Sequence, residues 1–528
     1  MTAPDLEPPL EPDSEPAELT GTVMRGAGLA SGGYIATQIL SLGFFAALAR
    51  LASPADFGDL AAGTLLVNVG LLFTESGMLA ALIHRKDRLD EAASTATVAT
   101  ALGGLGMALA ALAASPLIGA IFHSSRVGQV AAASSGLLFL RSLVIVPEAL
   151  LQRRFSFLRR VVIEPGGVAV FGVAAVVLTA NGLGVWGLLL AYYASAVGDV
   201  ILSWALLRWR PRRRNVSLAM WRELVRYGRW GIASSALQSA EQQTPVLLLG
   251  RFAGAASLGQ FRYAARMEST AGAVVVHSAA YVLFPALARI TTDRDRLRAA
   301  CRRSIRAMSM IGFPTALILV PLGVPAAVIA FGEVWKSAGY AAMALAGIAA
   351  TGTMISFASE VLKADGRPDR LTAVRGVSLI ASIVFMIALL PFDLIGVCAG
   401  LTIGATIGAG YALVIVGRQL EIDPWALARE VLPSATAAIV MAAVLTPVEF
   451  LLVQASSHGT ILGLLLLALE ALLGAGIYLL ALRLASRSQS AELMTLVRRL
   501  ILRRGEADPT AVSADGVFEA AAREDAAS

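Results

Sequence analysis

The chain is 528 residues long, 57% hydrophobic and only 15% charged, with a mean hydropathy of +0.71 and a formal net charge of +6. Soluble domains carry about 25% charged residues, so a soluble enzyme, or a catalytic domain on a single anchor, is excluded in favour of a polytopic membrane protein. The apolar runs are long and continuous rather than short and alternating, which excludes an outer-membrane barrel and leaves an all-α transmembrane bundle.

Residues 1–23 hold Asp5, Glu7, Glu11, Asp13, Glu15 and Glu18 with no base and read as a disordered, acidic N-terminal tail. This lead lacks the basic n-region of a signal peptide, so the first helix is expected to direct insertion. From Arg25 onward fourteen helices are predicted, each long enough for the ~20 residues a span needs. The first six, at about 26–50, 58–83, 91–122, 127–150, 161–180 and 184–208, form an N-terminal lobe over 24–214. The next six begin near 226 and continue at about 256–288, 299–331, 337–362, 370–391 and 394–418, a C-terminal lobe over 215–420. Two additional helices, about 429–455 and 458–484, fill 421–484. Residues 485–528 read as a basic amphipathic segment on the inner leaflet, or a solvated helix, followed by an acidic disordered tail.

Alternate loops differ in charge. One side collects Arg85, Lys86 and Arg88, then Arg153, Arg154, Arg159 and Arg160, then Arg208 to Arg214, and later Arg289 through Arg306, Lys363–Arg370, Arg418 and Arg483–Arg504. The other side offers little beyond Arg50, Arg126, Arg251 and Lys336. By the positive-inside rule the first side is cytoplasmic, which places both termini inside and requires an even helix count. Twelve spans with two re-entrant pieces also meet that requirement. Because the basic residues mark one membrane face, no nucleic-acid partner is needed to explain them.

An internal repeat organises the helices. Arg50-Leu-Ala-Ser-Pro-Ala-Asp-Phe-Gly58 parallels Arg251-Phe-Ala-Gly-Ala-Ala-Ser-Leu-Gly259, 201 residues further on, and Met24-Arg25 aligns with Val225-Arg226 at the same offset. Asp87-Arg88-Leu89-Asp90 and Asp295-Arg296-Leu297-Arg298 follow the second helix of each copy. Six helices separate equivalents, so the two lobes share orientation and are expected to be pseudo-symmetric about an axis along the membrane normal, with a central cavity.

No Walker loop, GxSxG or HExxH motif is present, and Cys301 and Cys398 fall in different predicted helices, so no catalytic residue, cofactor, zinc site or disulfide is expected. The candidates are charges within spans, each of which costs at least ~2.5 kcal/mol against lipid. Arg141, Arg262 and Arg266 are candidates for binding an anionic substrate, since guanidinium holds phosphate bidentately. Arg262 and Arg266 are one turn apart and share a helix face, although Arg262 is near enough to its helix start to snorkel. Glu75, Glu241 and Glu268 are candidates for a coupling proton or cation, with Glu268 also placed to neutralise a neighbour. Glu360 and Glu470 are explained by an interfacial position or a helix contact, and His277 by packing or hydrogen bonding, with proton carriage as its alternative.

The Arg-Leu…Phe-Gly turn after the first helix, Glu148-Ala-Leu-Leu-Gln-Arg-Arg-Phe-Ser-Phe157, Gly250-Arg-Phe…Leu-Gly-Gln-Phe…Ala-Ala-Arg266 and Leu283-Phe-Pro-Ala-Leu287 resemble bacterial polysaccharide flippases of the multidrug/oligosaccharidyl-lipid/polysaccharide exporter superfamily. The resemblance runs from about Arg25 to Arg487. It implies a non-enzymatic carrier of polyprenyl-diphosphate-linked oligosaccharide in the inner membrane, with alternating access through a basic central cavity for surface or exopolysaccharide biosynthesis, lipopolysaccharide included. Membrane lipids, and polysaccharide polymerase and glycosyltransferases, are the partners such a role admits. A peptidoglycan-precursor flippase, a drug/cation antiporter of the same superfamily, and a non-transporting scaffold of polysaccharide assembly remain as alternatives.

Overall fold

A computed structural model describes residues 37–75, 82, 87–153, 163–207, 209–270, 294–364 and 369–502. The acidic tails, the basic loop at 154–162, His277 and Leu283–Leu287 lie outside these residues. Among the described residues the regular structure is entirely helical. Eight helices are long and apolar enough to cross a membrane, or up to ten when two bent pairs are each counted as a span. The expected all-α transmembrane class holds, while the described residues do not fix the count at fourteen.

Two compact units divide at Ala256/Ser257. The first contains α1 (Thr37–Leu51), α2 (Pro54–Gly63), α3 (Leu65–Glu75), α4 (Leu89–Ile121), α5 (Ser125–Ser134), α6 (Gly136–Ser142), α7 (Ile145–Arg153), α8 (Glu164–Ala180), α9 (Val185–Leu207) and α10 (Leu218–Phe252). Helix α1 turns into α2 through a bend of 116°. The turn is built by Ser53, whose hydroxyl accepts from the Asp56 N–H at 3.2 Å, while the Asp56 carboxylate accepts from the Ser53 N–H at 3.2 Å. That capping box, with Pro54 pre-set at the first helical position, starts α2 abruptly. The link from α9 to α10 is fastened onto the start of α4: the Trp209 indole donates to Asp90 at 3.0 Å, the Arg212 N–H to the Ser94 hydroxyl at 3.2 Å, and the Ser217 N–H to the Thr95 hydroxyl at 3.1 Å. Helix α10 packs on α3 and α4 within this unit. Sequence divides the chain by repeat copy, at 214/215; packing divides it one helix later.

The second unit contains most of α11 (254–270), then α12 (Arg294–Leu317), α13 (Leu319–Phe331), α14 (Lys336–Ala364), α15 (Asp369–Ala388), α16 (Asp393–Leu420), α17 (Pro424–Pro447), α18 (Thr460–Ala485) and α19 (Arg487–Leu502). The helix expected over 299–331 is instead two, α12 and α13, bent by 46°. Pro314 supplies the reason: it has no N–H for the Met310 carbonyl. The Tyr478 hydroxyl of α18 takes that role, donating to Met310 O at 2.9 Å. Helices α15 and α16 approach closely along Gly396, Gly400, Gly404 and Gly408, where an added Cβ would meet Leu389, Met386, Ser382 and Ser378 respectively. Helix α18 turns Ile461, Leu464, Leu465, Leu472 and Leu480 outward, an apolar face suited to lipid. The described start of α19 packs on α18 and α12 and buries Gln489, Ser490 and Leu493, so its first turns dock on protein rather than lying free on a leaflet.

The repeat corresponds to matching local structure. Arg50 lies in the last turn of α1 and Arg251 in the last turn of α10, and after each the chain breaks and restarts a helix within a few residues. The second landmark differs: Arg88 precedes α4 in a left-handed conformation, whereas Asp295-Arg296-Leu297-Arg298 already lies in the first turns of α12.

Tyr478→Phe is expected to lower stability by about 1 kcal/mol, because a carbonyl without its helical donor loses its substitute as well. Thermal unfolding of purified protein checks this, with an unchanged melting temperature as the contrary result.

Candidate functional site

The first unit brings Arg141 to an acid that was not among the sequence candidates. Its guanidinium donates from α6 to Asp199 of α9 at 3.0 Å. Gly167 on α8 makes room, since a Cβ there would meet the Asp199 carboxylate. The chain breaks just after α6, and there the Trp204 indole of α9 donates to the Leu143 carbonyl at 3.0 Å. The Arg141 side chain is 36% exposed and that of Asp199 11%. A guanidinium has five N–H donors, so one carboxylate contact leaves Arg141 able to take an anion, in competition with Asp199. Glu241 is half-buried on α10, and Glu75 ends α3 with its side chain outside the described residues.

A second charged group sits at the Arg50/Arg251 end of this unit. Arg126 bridges Asp56 at 2.6 Å and Asp59 at 3.3 Å, and Arg251 contacts the His123 ring. An open recess of about 520 Å³ between α4 and α5 is lined by Ser115, Gly119, His123 and Gln129 among others. None of the arginines or acids selected from sequence lines it, and His123 is the one ionisable side chain in its lining.

In the second unit, α11 divides its faces as the four-residue spacing predicts. Tyr263 is fully buried, edge-on to Phe331 with ring centroids 4.9 Å apart and against Trp335 at 3.8 Å. Gln260 fastens the same face: its amide donates to the Val334 carbonyl at 2.6 Å and accepts from the Ala338 N–H at 2.9 Å. With that side riveted, Arg262 is exposed and Arg266, one turn further, is half-buried. Glu268 is also half-buried, but two residues from Arg266 it lies on nearly the opposite side of the helix and is no local counter-charge. The described α11 starts at 254, which puts Arg262 about 12 Å along the axis.

Several other charges of the second unit form structural pairs. Arg302 and Arg306 of α12 both reach buried Glu430 of α17, at 2.9 and 2.6 Å, and Arg306 also meets Glu492 of α19 at 3.4 Å. Gln489 of α19 donates to the Glu430 carbonyl at 3.0 Å. Glu360 pairs with Lys363 at 3.0 Å. Glu470, for which sequence offers an interfacial position or a helix contact, is deeply buried beside Glu449. No group of three metal-ligating side chains occurs among the described residues. Asp199, Glu430 and Glu449 all lie within predicted spans, and that position was the signal available for them.

A protein-family model described as polysaccharide biosynthesis protein matches residues 47–339, more than half of the chain. The chain belongs to this polysaccharide biosynthesis family. It is a multi-pass membrane member of it, and the match contains both copies of the Arg…Gly turn, Arg141 and α11. Among curated relatives of this family member, the succinoglycan biosynthesis transport protein ExoT of Rhizobium meliloti (strain 1021) is 26% identical over 291 residues, 55% of this chain and 59% of that protein. The lipopolysaccharide biosynthesis protein WzxC of Escherichia coli (strain K12) is 24% identical over 301 residues, again 55% of this chain and 59% of that protein. The chain thus spans little more than half the length of either relative. Among solved structures, the lipid II flippase MurJ in an inward closed conformation superposes with a TM-score of 0.67 over 87% of this chain and 99% of that one, at 14% identity. That likeness establishes the fold: this polysaccharide biosynthesis protein has a MurJ-like all-helical fold.

If Arg141 and Asp199 act as a pair, Arg141→Gln and Asp199→Asn should each lower stability by on the order of 1 kcal/mol, read as a fall in melting temperature. The double variant should be no less stable than the worse single one. Additive losses would show that the two groups do not depend on each other.

Proposed function

We propose that the chain is a carrier, not an enzyme, that moves polyprenyl-diphosphate-linked oligosaccharide across the bacterial cytoplasmic membrane for surface or exopolysaccharide biosynthesis. The observation that carries this reading is the family match over 47–339, whose curated relatives are named for succinoglycan transport and lipopolysaccharide biosynthesis. The match includes a helix that presents two guanidinium groups one turn apart. Arg262 and Arg266 are the groups to which the diphosphate is assigned, because a guanidinium stays charged at any physiological pH and binds phosphate oxygens bidentately. Arg141, balanced by Asp199, is the third candidate. Its carboxylate partner makes anion binding there an exchange, which suits transient contact during alternating access.

A carrier of this kind must release what it binds, and a driving ion does that by changing the charge near the anion. Glu75, Glu241 and Glu268 stand as candidates for that ion. The charge distribution of the loops supports both termini being cytoplasmic, with polymerase and glycosyltransferases as functional neighbours.

Arg266→Ala is expected to reduce transport of the lipid-linked oligosaccharide at least tenfold while leaving the amount of membrane-inserted protein unchanged, as loss of a charge-assisted contact to phosphate predicts. Surface polymer output, normalised to protein level by immunoblot, checks it; wild-type output overturns the assignment. Deleting the gene should remove a surface polymer and leave cells viable, whereas lethality with arrested wall synthesis would point to a peptidoglycan precursor.

A further inference from the structure

The two helices beyond the repeated lobes contain an acid pair that the reading above does not use. Glu449 and Glu470 are each 3% exposed, and the Glu470 carboxyl is turned toward that of Glu449. Glu449 sits in a π-helical turn, Val448–Val453, at the end of α17. Such turns insert a residue into a helix and recur at functional positions because they re-aim one side chain. Here the Glu449 carboxylate accepts from the Ala455 N–H at 3.0 and 3.3 Å. The π-turn closes with the Gln454 N–H on the Glu449 carbonyl at 2.8 Å. Glu470 has no such support: both of its oxygens are buried without a hydrogen-bond partner. It lies ten residues into α18, about 15 Å along the axis and so near the middle of a ~30 Å hydrocarbon layer.

Two carboxylates side by side in such a place repel strongly, and each loses its hydration. Among the described residues, no lysine or arginine is set against them. Helix α13, which packs on α18 and on the turn before it, has no titratable residue. His458, exposed in that turn, is the titratable group that acts on Glu449 from outside the pair. The charged side chains of α17, Arg429 and Glu430, are about 30 Å away along its axis, and Arg483 of α18 is about 20 Å from Glu470.

We propose that Glu449 and Glu470 form a proton-binding site in the C-terminal helix pair, in which one proton is held as a carboxylic O–H on one residue and hydrogen-bonded to the carboxylate of the other. The shared proton supplies Glu470 with its missing partner and removes one of the two charges. Release leaves two carboxylates and one proton in solution; uptake reverses it, and no other reactant is needed. A metal cation fits less well, because the Ala455 N–H presents a donor, of the wrong sign for a cation, to both Glu449 oxygens. The assignment does not depend on which substrate the protein carries.

The test is infrared spectroscopy of the full-length protein in lipid nanodiscs, with folding confirmed by thermal melting. At neutral pH, wild type minus E449Q/E470Q should leave one carboxylic C=O stretch, which shifts in D₂O and disappears as the pH is raised. E470Q and E449Q singly should each abolish or displace it. Replacing potassium by sodium at constant pH should leave it unchanged. Absence of any buried carboxylic band in wild type at neutral pH, which requires no variant, would overturn the proposal, as would a band that survives in the double variant. Loss of the band on adding sodium would overturn the proton assignment in favour of a metal cation.

Discussion

A polar group that enters a bilayer without a partner is costly, and the proline breaks and the Glu430 cluster of this chain are built around that constraint. Pro116 interrupts α4, and the Ser115 hydroxyl donates at 2.8 Å to the Leu112 carbonyl that the missing N–H would have met. Pro314 does the same in α12, and there the substitute donor comes from Tyr478, on a helix far away in sequence. Serine repairs a helix from within; tyrosine repairs it by holding two helices together. Charges obey the same logic. Glu430 is buried because Arg302, Arg306 and Gln489 converge on it, and that cluster ties α12 to α17 and α19.

Much of the architecture was legible in the sequence because a span needs an unbroken run of about 20 apolar residues and little else. The helix ends at Arg50 and Arg251 were legible for a different reason: the same spacing occurs twice. The kink between α12 and α13 was harder to read, since Pro314 and Pro321 lie in apolar surroundings that look continuous. The Gly396–Gly408 ladder was present in the sequence as four glycines at a spacing of four. Its meaning depends on which helix comes close, and only packing supplies α15.

The candidate site was legible in part. Spacing alone put Arg262 and Arg266 on one face of α11, and the burial of Tyr263 and Gln260 explains why that face is held outward. Pairings over long separations were not readable. Arg141 finds Asp199 across 58 residues and Glu470 meets Glu449 across two helices, and no local pattern links either pair. An acid such as Asp199 or Glu449 looks the same in sequence whether it is an isolated cost or half of a partnership.

The repeated turn also carries an asymmetry. Gly58, in the first copy, lies so close to the Ala255 carbonyl of the second that no side chain fits between them. One copy of the repeated motif is therefore wedged against the other. Segments that touch in this way cannot vary independently: a side chain added to one must displace the backbone of the other, so tolerance to substitution at the seam is set jointly by both turns.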